Sequence, residues 1–340
     1  MADITNDRRL DPRVRAFLSV FPELVAADAE SWEEMTADSA ANRDLAAMIA
    51  AVMEANDTEE TAPSAGLKMD VHEFVSSPDG NTIKINVIRP DHDEVVPCIY
   101  YIHGGGMAAL SAFDGNYRAW GKIIAANGVA VAMVDFRNSV SPSSAPEVAK
   151  YPAGLNDCVS GLHWVIDNAA MLGVDTAKIT IAGESGGGNL SIATTMRLKS
   201  TGELGLIQGL YALCPYIAGE WPLPQHPSST ENEGIFLALH SNSGRMGYGI
   251  EAFDAKDPMA WPSFATVADV VDFPPTIISV NECDPLRDEG IEFYRLLLEA
   301  GVPARCRQVM GTAHGTEIFP MMCTEISRDT ARDLAAFALG

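Results

Sequence analysis

From residue 96 onward the chain alternates short, continuously apolar runs with longer stretches of helical period. The apolar runs are "VPCIYYIH" (96–103), "VAVAMVDF" (129–136), "KITIAG" (178–183), "GLIQGLYALCPY" (205–216), "TIISVNE" (276–282) and "ARCRQVM" (304–310). Between and after them, residues 116–128, 154–172, 188–200, 287–301 and 325–339 place apolar residues three and four apart. Runs without polar alternation read as strands buried on both faces. Strand–helix alternation then implies a mostly parallel sheet covered by helices on both sides, the α/β class. Ahead of it, "VHEFVS" and "TIKINVIRP" alternate around the turn "SPDGN", which reads as a hairpin and brings the expectation to about eight strands.

Two segments break the alternation. Residues 1–65 hold no convincing strand; "RVRAFLSVFPELVAADAESWEEM" and "NRDLAAMIAAVMEAND" have helical spacing, and "DTEETAPSAG" reads as a linker. Residues 217–262 are rich in Pro, Gly and Ser but keep Trp221, Phe236, Leu237, Met246 and Tyr248, which argues against disorder. The expected organisation is a first core part over 66–216, an insertion over 217–262 and a second core part over 263–340. The N-terminal helices and the insertion are expected to form a cap.

Composition narrows the function. Asp and Glu number 46 against 23 Lys and Arg, a formal charge of −23, which repels nucleic acid and anionic membrane surfaces. No stretch reaches 18 uninterrupted apolar residues, and the charged start "MADITNDRRLDPRVRAF" lacks the apolar region of a secretory signal. The six cysteines lack CxxC spacing and sit mostly in apolar runs. Reduced, buried thiols in a cytoplasmic protein, with no zinc site, are expected.

The chemistry gathers around "ITIAGESGGGNLSIA" (179–193). Gly183-Glu184-Ser185-Gly186-Gly187 is G-x-S-x-G between a strand and a helix, the pattern of a sharp turn that presents a serine hydroxyl. A side chain two positions either side of Ser185 would strike a neighbouring element. The following helix would aim free N–H groups at the site. Ser185 is therefore the expected nucleophile, and it needs a base held by an acid. Of seven histidines only His314 lies beyond the last strand, in the turn "MGTAHGTE"; it is the expected base. The acid should follow the preceding strand. Asp284, first after it and followed by a proline, is preferred over Glu282, while Asp288 and Glu289 read as acids at a helix start.

An oxyanion intermediate needs preorganised donors. His103-Gly104-Gly105-Gly106 ends a central strand, and the N–H groups of Gly105, Gly106 and Gly186 are the expected donors, with His103 bracing the loop. A competing reading takes "HGGGMAA" as a dinucleotide-binding turn, with Asp135 on the ribose of NAD(P). Against it, "SAFDGN" separates the glycines from the next helix, so a pyrophosphate would miss the helix N-terminus.

Together "HGGGM", "GESGGGN", "DPLRDEG" and "AHG", in this order along residues 70–340, resemble the hormone-sensitive lipase family (bacterial family IV) of α/β-hydrolases. "MVDFRN", "PYIAG", "DPMAWPSFA" and "NECDPLRDEGI" are similar to the subgroup of carboxylesterases around brefeldin A esterase. The resemblance implies an α/β-hydrolase fold with a helical cap and hydrolysis of small carboxylic esters, with neither metal nor organic cofactor. It also implies pairing of two copies through the sheet edge. Many members carry "DYRLAPE" where this chain has "DFRNSVSPSSAPEV". A non-catalytic receptor on the same fold is the other alternative, but such relatives lose the histidine that stands here at 314. Met107 and the cap aromatics point to an apolar cleft for short or medium acyl chains.

Overall fold

The computed structural model describes residues 4–19 and 27–340. Its strands are β1 (Leu67–Val75), β2 (Thr82–Pro90), β3 (Val96–Ile102), β4 (Ala130–Asp135), β5 (Val174–Glu184), β6 (Gly209–Leu213), β7 (Thr276–Asn281) and β8 (Ala304–Val309). They form one sheet in the order β1-β2-β4-β3-β5-β6-β7-β8. β1 and β2 run antiparallel to each other and β2 runs antiparallel to β4, while β4, β3 and β5 to β8 are mutually parallel. The expected mostly parallel sheet with a leading hairpin is therefore present.

Helices on the chain's course are α1 (Pro12–Leu18), α2 (Trp32–Ala41), α3 (Arg43–Glu54), α4 (Gly115–Ala125), α5 (Ala153–Asp167), α6 (Ala169–Leu172) and α7 (Gly186–Thr201). The segment between β6 and β7 carries the short α8 (Ser228–Glu231), α9 (Ser243–Tyr248), α10 (Ile250–Asp254) and α11 (Val267–Val270). α12 (Arg287–Glu299) and α13 (Thr324–Leu339) complete the chain. The helical expectation over residues 20–26 lies outside the described residues.

Every residue of β3, β4, β6 and β7 is buried, as the unbroken apolar runs require. Alternate residues then feed opposite layers. On β3, Cys98, Tyr100 and Ile102 belong to the same buried cluster as Leu162 and Val165 of α5, Leu190 and Met196 of α7, and Phe293 and Leu297 of α12. Ile99 and Tyr101 belong to the opposite cluster, with Tyr117, Trp120 and Ile124 of α4 and Leu334 and Ala338 of α13. Each fully buried side chain of this size contributes roughly 1.5–3 kcal/mol relative to exposure.

Boundaries differ from the sequence expectation at several elements: β1 begins at Leu67 and β5 at Val174, each four residues before its expected start. The run 205–216 is strand only over Gly209–Leu213, because Leu204–Leu206 close a 3₁₀ turn before it. The helix expected over 154–172 is divided at Asn168, whose side-chain amide donates to the Trp164 carbonyl at 2.8 Å. The consequence for function is directional: β3, β5, β7 and β8 are parallel, so the loops leaving them open at one edge of the sheet.

Candidate active site

The turn after β5 holds Ser185 at φ 57° and ψ −121°, a conformation that costs a non-glycine residue about 1–3 kcal/mol. Three backbone bonds hold it. The Ser185 N–H donates to the Leu213 carbonyl at 2.9 Å, and its carbonyl accepts from Asn189 N and Tyr216 N, both at 3.0 Å. The flanking glycines are required by close approach. A Cβ at Gly187 would stand 2.0 Å from the Ile102 oxygen, and one at Gly183 would stand 2.4 Å from the same atom. The packing reason inferred for the G-x-S-x-G spacing is therefore present in the fold.

Asp284 follows β7 and is fully buried; its Oδ1 accepts from Leu286 N at 2.9 Å. Its Oδ2 lies 2.8 Å from His314 Nδ1, which donates to it. That bond orients the imidazole and leaves Nε2 as the basic nitrogen. Burial pulls the His314 pKa down, but the charge and hydrogen bond of Asp284, with the charges of Glu184 and Glu317, outweigh it and raise it above 6.5. The Cys214 sulfur lies within 4.8 Å of the Asp284 and His314 ligand atoms. Burial pushes that thiol well above its ordinary range. Among the described residues, these three are the one group with metal-type ligand atoms, and two of them are already bonded to each other. All six cysteines are free thiols, five of them buried and Cys306 half-buried.

The glycine loop after β3 has Gly105 at φ 91° and Gly106 at φ 64°. Among the described residues, the N–H groups of Gly105, Gly106 and Gly186 donate to no protein acceptor. A Cβ at Gly186 would stand 2.7 Å from Gly106 N, so the helix start and the loop are in contact. His103 braces this loop: Nδ1 donates to the Gly104 carbonyl at 3.0 Å, and the ring stacks on Phe136 at 4.3 Å. Burial lowers its pKa, and Asp135 pulls the other way. Asp135 is itself consumed by Ser111 Oγ, Ala112 N and Ser144 N and is fully buried. It cannot meet a ribose, and α4 begins only at Gly115, which removes the structural basis of the dinucleotide reading.

Several polar residues at this edge carried no sequence signal. Glu184 is buried, accepting from Tyr101 Oη (2.5 Å), Tyr117 Oη (2.7 Å) and Gly104 N (2.6 Å). Burial pushes its pKa up to about 7 against these hydrogen bonds. Glu317 is also buried and raised, and accepts from Asn281 Nδ2 at 3.0 Å. Asn232 donates to the Asp284 carbonyl at 3.0 Å, so the 217–262 segment reaches the acid's own backbone.

The structure adds to two expectations. Glu289 and Asp288 do more than begin α12. Glu289 accepts from Ile217 N (2.7 Å), Ala218 N (3.1 Å) and Trp221 Nε1 (2.7 Å), and Asp288 accepts from Ser228 N at 2.7 Å. They anchor the first turns of the insertion. The cap aromatics Trp221 and Tyr248 are buried and pack on Tyr216 and Trp261, with Tyr216–Trp221 centroids 4.7 Å apart and Tyr248–Trp261 centroids 5.8 Å apart. Phe236, Leu237 and Met246 are only half-buried.

The loop after Phe136 also acquires a place. Ser139 N donates to the Met107 carbonyl and Ser141 N to the Ala108 carbonyl, so it backs the glycine loop. Trp32 Nε1 of α2 donates to the Ser139 carbonyl at 2.6 Å, and Asn242 exchanges hydrogen bonds with Ala29.

Comparison with known proteins identifies the family. Residues 99–318 match the family described as alpha/beta hydrolase fold. The chain is 32% identical to carboxylesterase NlhH of Mycobacterium tuberculosis over 246 residues, 71% of this chain and 73% of that protein. The crystal structure of esterase Est22 is 60% identical, with a TM-score of 0.99 over 100% of this chain and 99% of that one. Brefeldin A esterase, titled a bacterial homologue of human hormone sensitive lipase, is 35% identical, with a TM-score of 0.85 over 98% of this chain and 94% of that one. The chain belongs to the α/β-hydrolase fold family, in its hormone-sensitive-lipase-like branch, and is a carboxylic ester hydrolase.

Proposed function

We propose that Ser185, His314 and Asp284 hydrolyse short- to medium-chain esters by two-step acyl transfer. The observation that carries this is the 2.8 Å bond from His314 Nδ1 to Asp284, at the sheet edge where the strained Ser185 turn emerges. Ser185 Oγ attacks the ester carbonyl while His314 Nε2 takes its proton. Asp284 stabilises the imidazolium. The N–H groups of Gly105, Gly106 and Gly186 receive the oxyanion, a role supported by their freedom from protein acceptors. The alcohol leaves with the proton from His314, and water then repeats the sequence to release the acid. The N-terminal segment 1–65 and the 217–262 insertion form the cap, a reading supported by the Asn242–Ala29 and Trp32–Ser139 bonds. Its half-buried Phe236, Leu237 and Met246, with Met107, favour a modest apolar acyl group. The protein works in the cytoplasm, consistent with six unpaired cysteines, and pairs through a sheet edge, where β8 leaves one side without a strand neighbour. No helix among the described residues is long and apolar enough to cross a membrane.

The test is Ser185→Ala assayed on a p-nitrophenyl ester series from acetate to palmitate. Turnover should fall about 10⁶-fold with an unchanged circular dichroism spectrum. Near-parental turnover in a clean preparation would remove the assignment.

A further inference from the structure

The carboxyl of Glu184 sits between the two loops that the reaction needs aligned. Its own peptide continues into Ser185. Its Oε1 accepts from the Gly104 N–H at 2.6 Å and from Tyr117 Oη at 2.7 Å, and Tyr117 Oη also accepts from Gly104 N at 3.1 Å. Tyr101 Oη holds Oε2 at 2.5 Å. Glu184, Tyr101 and Tyr117 are all buried, with Glu184 only 2% exposed. The carboxyl also explains the first glycine of the loop. A Cβ at Gly104 would stand 2.3 Å from Glu184 Oε1, so Gly104 is small for this carboxyl and not for a substrate.

We propose that Glu184 is a positioning residue for the oxyanion hole: its buried carboxyl grips Gly104 and thereby sets the Gly105 and Gly106 N–H groups against the Ser185 turn. The inference rests on the acyl-transfer reading above, in which those N–H groups are the donors. The physical reason is stiffness. Gly105 and Gly106 both have positive φ, and among the described residues their N–H groups hold no protein acceptor. Nothing in the loop's own residue types restricts it, because glycine is the most permissive backbone. The charge-assisted bond at Gly104 and the two tyrosine donors supply the restraint from outside. Donors held in place before the reaction are what makes an oxyanion hole effective.

The experiment compares parent, Glu184→Gln, Glu184→Ala and Tyr117→Phe, each normalised to active sites titrated with a fluorophosphonate. Two readouts are taken: kcat and KM on p-nitrophenyl butyrate, and the inhibition constant of an alkyl trifluoromethyl ketone. Ser185 Oγ adds to that ketone, its proton passes to His314, and the carbonyl electron pair becomes an oxyanion in the hole. Loss of positioning lowers kcat by about 10²–10³-fold in Glu184→Ala, the scale of losing one oxyanion donor, with KM changed less than threefold. Ketone affinity falls in proportion to kcat/KM across the series, with Glu184→Gln intermediate. A role in stability alone lowers the titrated site fraction and leaves the normalised kcat and ketone affinity at parental values, and that result overturns the proposal. Should Glu184→Ala fail to fold, Glu184→Gln and Tyr117→Phe carry the same comparison. A parent that is not inhibited by the ketone, or a Ser185→Ala protein that keeps its turnover, overturns the acyl-transfer reading itself. Normal parental inhibition with unaffected Glu184 variants overturns only the positioning role.

Discussion

At the scale of single residues, the proposed mechanism makes the Asp284–His314 pair set both rate and pH dependence. Replacing Asp284 with Asn puts a donor opposite His314 Nδ1, favours the wrong tautomer and should lower kcat about 10⁴-fold. The same pair raises the His314 pKa above 6.5 against the opposing effect of burial. The base must be neutral to accept the Ser185 proton, so kcat/KM should climb through an apparent pKa above 6.5. In Asp284→Asn, burial acts without its counterweight, and the residual activity should rise at lower pH than in the parent. A pH–rate profile of both proteins on a non-ionising ester checks this; an unmoved limb would mean another group controls it. The Ser185 turn and the Asp284–His314 pairing, which underlie the proposed triad, were legible because their residue types and chain order are informative. Glu184 was not. Position x of G-x-S-x-G accepts many residue types, and its partners Tyr101 and Tyr117 lie 83 and 67 residues away.

At the scale of elements, the loop after Phe136 has its own fastening. Arg137 lies on buried Asp157 of α5, with Nε at 2.8 Å from Oδ2 and a second nitrogen at 3.0 Å from Oδ1. The same guanidinium reaches Asp79 at 2.6 Å, in the β1–β2 turn. Arg137→Leu would leave the Asp157 carboxylate buried without its cation, although Ser76 Oγ still donates to it at 2.5 Å. A loss of about 3–5 kcal/mol is expected, read as a lower urea midpoint at unchanged slope. A variant within about 1 kcal/mol of the parent, the scale of an exposed ion pair, would show that the loop is held otherwise. The strands themselves were readable, since β3, β4, β6 and β7 are apolar throughout and wholly buried. The position of this loop was not, because Arg137, Asp157 and Asp79 are joined only when the hairpin, β4 and α5 have assembled.

At the scale of the whole molecule, buried acids shape stability. Burial pushes Glu184 up to about 7 and Glu289 up to about 8, and Glu317 is raised as well. Their unfolded values lie near the ordinary 4.5. Between the two values the folded protein holds protons that the unfolded chain has released, so these groups favour folding fully below pH 4.5. Their contribution is lost as pH rises through about 7 and 8. His314, also raised, acts in the same direction above pH 6.5. The lowered carboxylates Asp7, Asp11 and Asp288 work the other way below their ordinary value of 3.8, and the lowered histidines His103 and His226 do so below 6.5. The melting temperature at fixed ionic strength should therefore fall from pH 6.5 to pH 8.5, and Glu289→Gln should flatten that fall. A melting temperature that rises across this range, or an equally steep fall in Glu289→Gln, would contradict the account.

The residue order alone determined the class of fold, because burial on two faces imposes an unbroken apolar run and one-sided burial imposes a helical period. It also determined the nucleophile turn, since only glycines fit where Ile102 and Gly187 nearly touch. The tertiary structure decided what packs between distant segments. Trp221 and Tyr248 came to pack on Tyr216 and Trp261, Glu289 became the anchor of the insertion, and Glu184 came to rest beneath the glycine loop. A buried carboxyl is defined by the donors that surround it, and those donors come from strands and helices whose proximity exists only once the sheet has formed.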